Sequence, residues 1–207
     1  MKHFFVIILL IAAIHGNSQN FKGGLFGGAV ASQVYGDKLS GYDKAGFHVG
    51  GYVSNNFGSK DNGFRFEIQY ITKGSRKNTN IKIGDYRFYL LRLNYIEMPF
   101  TFYMKSKMVK NLIYEAGLSY GVLVSAKEDP DGGGFYVPDY PPYRDWEFAG
   151  HAGIRYRFSE KWDFATKVSY SILKIRPYPG NQAYYFDRGQ MNNVLTATLY
   201  YKFGKDE

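Results

Sequence analysis

Between Tyr86 and Met104 the chain reads YRFYLLRLNYIEMPFTFYM, an apolar run with Arg92 and Glu97 set inside it. Burial on every side would make those charges costly. A strand resolves the conflict, because successive side chains point to opposite faces. Tyr89, Leu91, Leu93 and Tyr95 share one face; Leu90, Arg92 and Asn94 share the other. Further on, the apolar parity changes to Ile96, Met98, Phe100, Phe102 and Met104. One β-bulge near Tyr95–Ile96 would keep both apolar sets against lipid and turn Glu97 to the lumen, since a bulge resets the faces. Pro99, with no ladder donor, suits such an irregular site. The pattern predicts a membrane-crossing strand of a closed barrel.

Seven further segments carry a strand pattern, so that eight are predicted, at approximately 23–34, 45–57, 63–74, 85–104, 110–126, 146–158, 161–173 and 190–203. The faces alternate clearly in five of the others. Phe64, Phe66, Ile68 and Tyr70 oppose Arg65, Glu67 and Gln69. Tyr114 to Val124 oppose Glu115, Gly117, Ser119, Gly121 and Ser125. Ile154 and Tyr156 oppose His151 and Arg155; Phe164 and Val168 oppose Asp163 and Lys167; Leu195 and Leu199 oppose Thr196 and Tyr200. The first two strands are Gly-rich, and the pattern assigns their faces less sharply. Between the strands, long segments (35–44, 75–84, 127–145, 174–189) alternate with short ones (58–62, 105–109, 159–160). Outer-membrane barrels have an even strand number, short periplasmic turns and longer outer loops. The expected fold is therefore all-β: an eight-stranded antiparallel transmembrane barrel with four longer outer loops. A lipocalin-like soluble barrel would need the crowded Phe, Tyr and Leu face inside, where eight strands leave little room.

The N-terminus adds a place. Lys2 is followed by an apolar run from Phe4 to Ile14 and by small residues Gly16 and Ser18. This reads as a signal peptide over residues 1–18, with the barrel domain over 19–207. The run is short of the ~20 residues of a spanning helix. The location expected is the outer membrane of a Gram-negative cell. Composition agrees: 20 Tyr, 17 Phe and 24 Gly suit lipid-facing aromatics over a small-residue interior. The formal charge of +8 is spread over strands and turns, which argues against nucleic acid as partner.

Candidate chemistry is sparse. With no cysteine there is no thiolate metal site, disulfide or lipidation site. His48, His151, Ser119 and Ser169 lack the spacing of a hydrolase or zinc motif. The Asp129–Gly134 run lacks the closing Glu of a calcium loop. The reading is no enzyme, no catalytic residue, no cofactor and no metal. The informative set is the lumen charges Arg65, Glu67, Arg92, Glu97, Glu115, Arg155 and Lys167. In a narrow barrel these should interleave as a paired network. A second set is the loop aromatics Phe135, Tyr136, Tyr140, Tyr143, Tyr184 and Tyr185, which suit recognition or a lid.

Several stretches carry a family likeness: GGLFGGAVASQVYGD at Gly23–Asp37, KAGFHVGGYV at Lys44–Val53, FRFEIQYITKGSR at Phe64–Arg76, LNYIEMPFTFYMK at Leu93–Lys105, YEAGLSYGVLVSAK at Tyr114–Lys127 and LTATLYYKF at Leu195–Phe203. Together they resemble the PorT-like, porin-family outer membrane β-barrel proteins of Bacteroidota. The resemblance implies an eight-stranded barrel in the outer membrane. Its partners would be the lipid bilayer, the outer membrane assembly machinery and an unidentified protein partner. One departure is that residues Gly-Lys-Asp-Glu follow Phe203, the aromatic at which such barrels often end. The leading function is a non-enzymatic structural or binding role through the outer loops. The alternatives are a porin or small-solute channel, and an accessory role in a protein secretion complex, the last implied by the family name alone.

Overall fold

A computed structural model describes residues 21–37, 39, 41–57, 62–137, 141–177 and 189–204. Eight strands run β1 (Lys22–Tyr35), β2 (Lys44–Asn56), β3 (Asn62–Lys77), β4 (Tyr89–Lys105), β5 (Leu112–Asp129), β6 (Trp146–Arg157), β7 (Trp162–Ser171) and β8 (Met191–Lys202). Each pairs antiparallel with its chain neighbour, and β1 pairs with β8 from Gly24↔Lys202 to Tyr35↔Met191. The sheet therefore closes, with no free edge. Closure gives each strand a pairing neighbour on both sides, which a span in lipid requires. The signal-peptide segment lies outside the described residues.

The outward rows carry the bulky apolar set. Leu25, Val49, Ile68, Phe100, Leu118 and Leu195 all lie exposed on the barrel wall. This excludes a soluble lipocalin arrangement, whose apolar side would be inside. Near the short turns, Trp162 packs on Tyr201 at 4.9 Å between ring centroids, and Phe57 on Phe64 at 5.4 Å. These form an aromatic girdle at that end. The inward rows hold Arg65, Glu67, Glu115 and Tyr200, all buried. Glycine makes room for inward rings: a Cβ on Gly28 would stand 2.8 Å from His48 Nε2, and one on Gly117 2.8 Å from His151 Nε2.

The organising strand departs from expectation. β4 pairs with β3 in constant register from Asn62↔Met104 to Lys77↔Tyr89, with no bulge in β4. The irregularity sits opposite it, where Asn94 pairs Ser125 but Tyr95 pairs Leu123, so Val124 of β5 is the extra residue. Leu91, Leu93 and Tyr95 therefore point inward with Glu97 and are fully buried, rather than facing lipid. Arg92 and Asn94 point outward with Ile96, Met98 and Phe100. Ser125, past the bulge, likewise turns outward, while Leu123 and Ala126 pack inward.

The physical reason is a change of solvent along the strand. Outward residues on four strands switch from polar to apolar at one level: Gln33 to Ala31, Thr72 to Tyr70, Asn94 to Ile96, and Asn193 to Leu195. These switch points are neighbours in the sheet, since Gln33 pairs Asn193 and Thr72 pairs Asn94. Below that level, Ile96 to Met104 is about the 9–11 residues that a tilted strand needs to cross the hydrocarbon. Above it, β3, β4 and β5 continue into water. There the apolar side must face inward, as in a soluble protein.

Candidate binding site at the outer mouth

The interior is stacked in layers. Nearest the short turns lies an ionic layer. Arg65 Nη1 and Nη2 donate to both oxygens of Glu115 at 2.8 Å each, and its Nε donates to Glu67. Lys167 Nζ donates to Glu67 at 3.1 Å, and the Tyr200 hydroxyl to the same carboxylate at 2.9 Å. The Arg65 guanidinium also lies 4.7 Å from the Tyr200 ring centroid. Arg155 bridges Glu115 at 2.8 Å and Asp163 at 3.2 Å. Charge-assisted, bidentate contacts of this kind make buried ions tolerable.

Above it lies a mixed layer. Glu97 accepts from Ser119 at 2.6 Å and Gln69 at 3.2 Å, and Lys73 bridges Glu97 at 3.3 Å and Glu147 at 2.9 Å. His48 and His151 meet Thr198 and Thr101 at 3.0 and 2.9 Å. A cavity of about 30 Å³ remains between them. Next comes an apolar plug of Val30, Val34, Ile71, Leu91, Leu93 and Val194, capped by Tyr143 and Ile175 from the long connections. This is a packed core, and it closes the lumen under the outer mouth.

The mouth itself is a cup of about 720 Å³. Its wall includes Tyr86, Phe88, Tyr89 and Tyr136, with Lys77, Arg87 and Arg176 facing Asp37, Glu128 and Asp131. Glu128 is the hub. It accepts from the Tyr143 hydroxyl at 2.8 Å, from Tyr136 at 3.1 Å, from Tyr89 at 3.2 Å and from Arg176. The Val124 bulge sets the parity that turns Glu128 inward. Arg176 also donates to the Pro141 carbonyl at 2.6 Å, tying the β5–β6 and β7–β8 connections together. On the far side Asp85 holds Lys77 at 3.0 Å and Arg87 at 2.9 Å. Hydrogen bonds from Arg87 and Lys77 hold the Asp85 carboxyl below the usual range. Burial pushes the Asp37 carboxyl up, and burial near Glu128 pushes the Tyr143 phenol up.

The structure distributes the expected site residues unevenly. Arg65, Glu67, Glu115, Arg155 and Lys167 meet in the ionic layer, and Glu97 joins the mixed layer instead. Arg92 is not in the lumen: regular alternation carries it outward above the membrane level, where its guanidinium lies 4.4 Å from the Phe135 ring centroid. Among the loop aromatics, Phe135 and Tyr136 are exposed at the mouth, whereas Tyr143 is buried in the plug and offers no contact surface. Tyr140, Tyr184 and Tyr185 lie outside the described residues. Lys73, Glu147 and Asp163 join the networks without having been singled out. Parity alone places all three inward, so that signal was available. Glu128 was not legible that way, because it depends on the bulge.

The outer membrane protein beta-barrel domain family matches residues 11–176, and the chain belongs to that family. No curated protein sequence matches it. Among solved structures, Neisserial surface protein A is similar at 11% identity, over 87% of this chain and 97% of that one, with a TM-score of 0.53. Ail of Yersinia pestis, solved with the heparin analogue sucrose octasulfate, is 14% identical over 88% of this chain and 99% of its own, at a TM-score of 0.49. OprG of Pseudomonas aeruginosa is 14% identical, over 88% and 94%, at 0.35. The protein is an outer membrane β-barrel of a Gram-negative cell, embedded in the lipid bilayer.

Proposed function

We propose that the protein is a non-enzymatic binding barrel that takes a ligand or partner at its outer mouth. The observation that carries this reading is the cup of about 720 Å³, walled by aromatic and charged side chains above a closed floor. Concave sites of a few hundred Å³ or more with aromatic walls and a few fixed polar groups are the usual form of a ligand site. Tyr136 is its candidate contact from the long β5–β6 connection, and Tyr86 and Arg87 those from the β3–β4 hairpin; Phe135 lies beside it, over Arg92. The packed plug and the ionic layer beneath it weigh against a porin. The PorT-like accessory role in secretion rests on the sequence resemblance, and it would place a protein partner on this mouth or at the rim.

A photo-crosslinking side chain placed at Tyr86 or Tyr136 in intact cells tests the reading. Discrete crosslinked products from these positions, absent when the probe sits at lipid-facing Leu118, are expected. Folded protein with no product from either position would sink it. In planar bilayers, purified protein should give no reproducible single-channel steps; stable steps would instead favour the channel.

A further inference from the structure

Just above the hydrocarbon edge, one sector of the outer wall carries cations that neither the lumen networks nor the mouth use. Arg92 on β4 and Lys127 on β5 are cross-strand partners. Both side chains are exposed on the outside of the wall, because Leu91, Leu93 and Ala126 beside them pack inward. Arg144 lies next to them, ahead of β6. Its guanidinium stands 5.2 Å from the ring centroid of Trp146, which takes the outer side of β6 while Glu147 takes the inner. On the other flank Arg76 of β3 is exposed and donates to Asn78 at 2.7 Å. Among the described residues none of these four cations makes an ion pair with a carboxylate. Asp129, the next outward residue of β5, is buried and accepts from the Gly132 amide at 2.7 Å. Asp145 is the exposed carboxylate beside Arg144 in the chain. Across the barrel the residues at this level are neutral, Gln33 paired with Asn193.

Two features point to an occupant. The first is the pairing. Like charges set directly opposite on one face of a sheet repel and destabilise the pair. Arg92 leans on the Phe135 ring at 4.4 Å, but a ring has no formal charge to offset Lys127. An anion seated between the two removes the repulsion. The second is depth. The outer wall turns from polar to apolar between Asn94 and Ile96. On a strand tilted ~45° and rising ~3.3 Å per residue, Arg92 and its partner Lys127 stand roughly 5–9 Å beyond that edge. The polar headgroup region fills about 5–8 Å on each side of the hydrocarbon. Trp146, at the top of the apolar belt opposite Val122, suits that interface as well.

We infer that this sector binds the headgroup of an anionic, phosphate-bearing lipid of the outer leaflet. A guanidinium fork beside a lysine point charge suits phosphate oxygens. A phosphate monoester carries about −1.5 to −2 charges near neutrality, which matches the facing Arg92 and Lys127. The cations look outward at headgroup depth, so the phosphate arrives on a lipid. Its chains lie below against Ile96, Phe100 and Val122, all exposed on the belt. A soluble phosphate would meet the same cations on an open wall, with no apolar contact to hold it.

Tryptophan quenching tests the site. The chain has two Trp, and Trp162 sits at the opposite end beside the short turns, so Trp162→Phe leaves Trp146 as the reporter. That full-length protein is placed in phosphatidylcholine nanodiscs holding a small fraction of phosphatidic acid with a nitroxide high on its acyl chain. Quenching of Trp146 should exceed, several-fold, that by phosphatidylcholine with the same label at the same fraction, and the excess should shrink with salt. Arg92→Gln/Lys127→Gln should lower the relative affinity for phosphatidic acid by about tenfold or more, while Lys77→Gln at the mouth leaves it unchanged. Circular dichroism and gel mobility confirm that each variant is folded. Equal quenching by the two lipids, or an unchanged excess in the double variant, overturns the site. Loss of the excess on adding inorganic phosphate overturns the lipid as occupant, because a free anion then fills the sector.

Discussion

The strands β3, β4 and β5 live in two solvents, and the two halves of each follow opposite rules. On β4, the half from Ile96 to Met104 turns its apolar side chains out to lipid and Glu97 and Thr101 in. The half from Tyr89 to Tyr95 turns Leu91 and Leu93 in and Arg92 out to water. Backbone, register and parity are continuous through the change. What differs is which side meets an apolar medium. In the membrane half the outside is already hydrocarbon, so the inside is free to hold ions that pair with one another. In the projecting half the outside is water, and the hydrophobic effect builds a core within. That core is also what seals the lumen and gives the outer cup its floor.

The contrast can be broken at either half. The largest effect is expected in the ionic layer. Arg65→Met removes the guanidinium that Glu115 and Glu67 share, leaving only Arg155 and Lys167 to hold them, and removing one partner of a buried set costs about 3–5 kcal/mol. Urea unfolding in detergent micelles should show that loss; a change under 1 kcal/mol would mean that water reaches the layer and screens it. In the projecting core, Leu93→Ala removes a fully buried side chain. Cavity formation of this kind costs about 2–5 kcal/mol, read by the same unfolding curve.

The boundary between halves can be located by charge. Leu118→Lys, opposite Phe100 in mid-belt, should cost about 2–4 kcal/mol, whereas Ser125→Lys, above the belt, should cost about 0–1 kcal/mol. Equal costs at the two positions would place the membrane edge elsewhere. The smallest effect is a pH dependence at the exposed hairpin tip. Arg87 and Lys77 depress the Asp85 carboxyl in the folded state. A depressed acid contributes its stabilisation above the unfolded value of about 4, and that contribution fades as pH falls toward the folded value. Amide-exchange protection at residues 80–87, taken relative to the intrinsic rate at each pH, should therefore fall in acid in the wild type, and show no such step in Asp85→Asn.

Much of this was legible in the chain. Alternation with period two gave eight strands, and the long and short connections gave their orientation. For β3, β5, β6, β7 and β8 parity placed Arg65, Glu115, Arg155, Lys167 and Tyr200 inside, because each strand keeps one rule within the membrane. The misreading came on β4, where a single rule was carried past the membrane edge. The shift of apolar parity from Leu93 to Ile96 reads in the sequence as a bulge that keeps both sets in lipid, but it marks the passage from lipid to water. Arg92 is carried outside the wall for the same reason; Tyr143, expected among loop aromatics suited to recognition or a lid, packs within the core.

The sequence by itself determined the strand count, the closed architecture, the membrane location and the inward parity of the charges on β3, β5, β6 and β7 within the membrane, because these follow from local alternation and turn composition. Only the tertiary structure decided which charges meet. Arg65 and Glu115 are 50 residues apart, and Glu128 and Arg176 are 48. It also decided that the extra residue falls at Val124, and with it the inward turn of Glu128. Strand stagger around a closed barrel sets such partners, and stagger is fixed by all eight pairings at once rather than by any one strand's pattern.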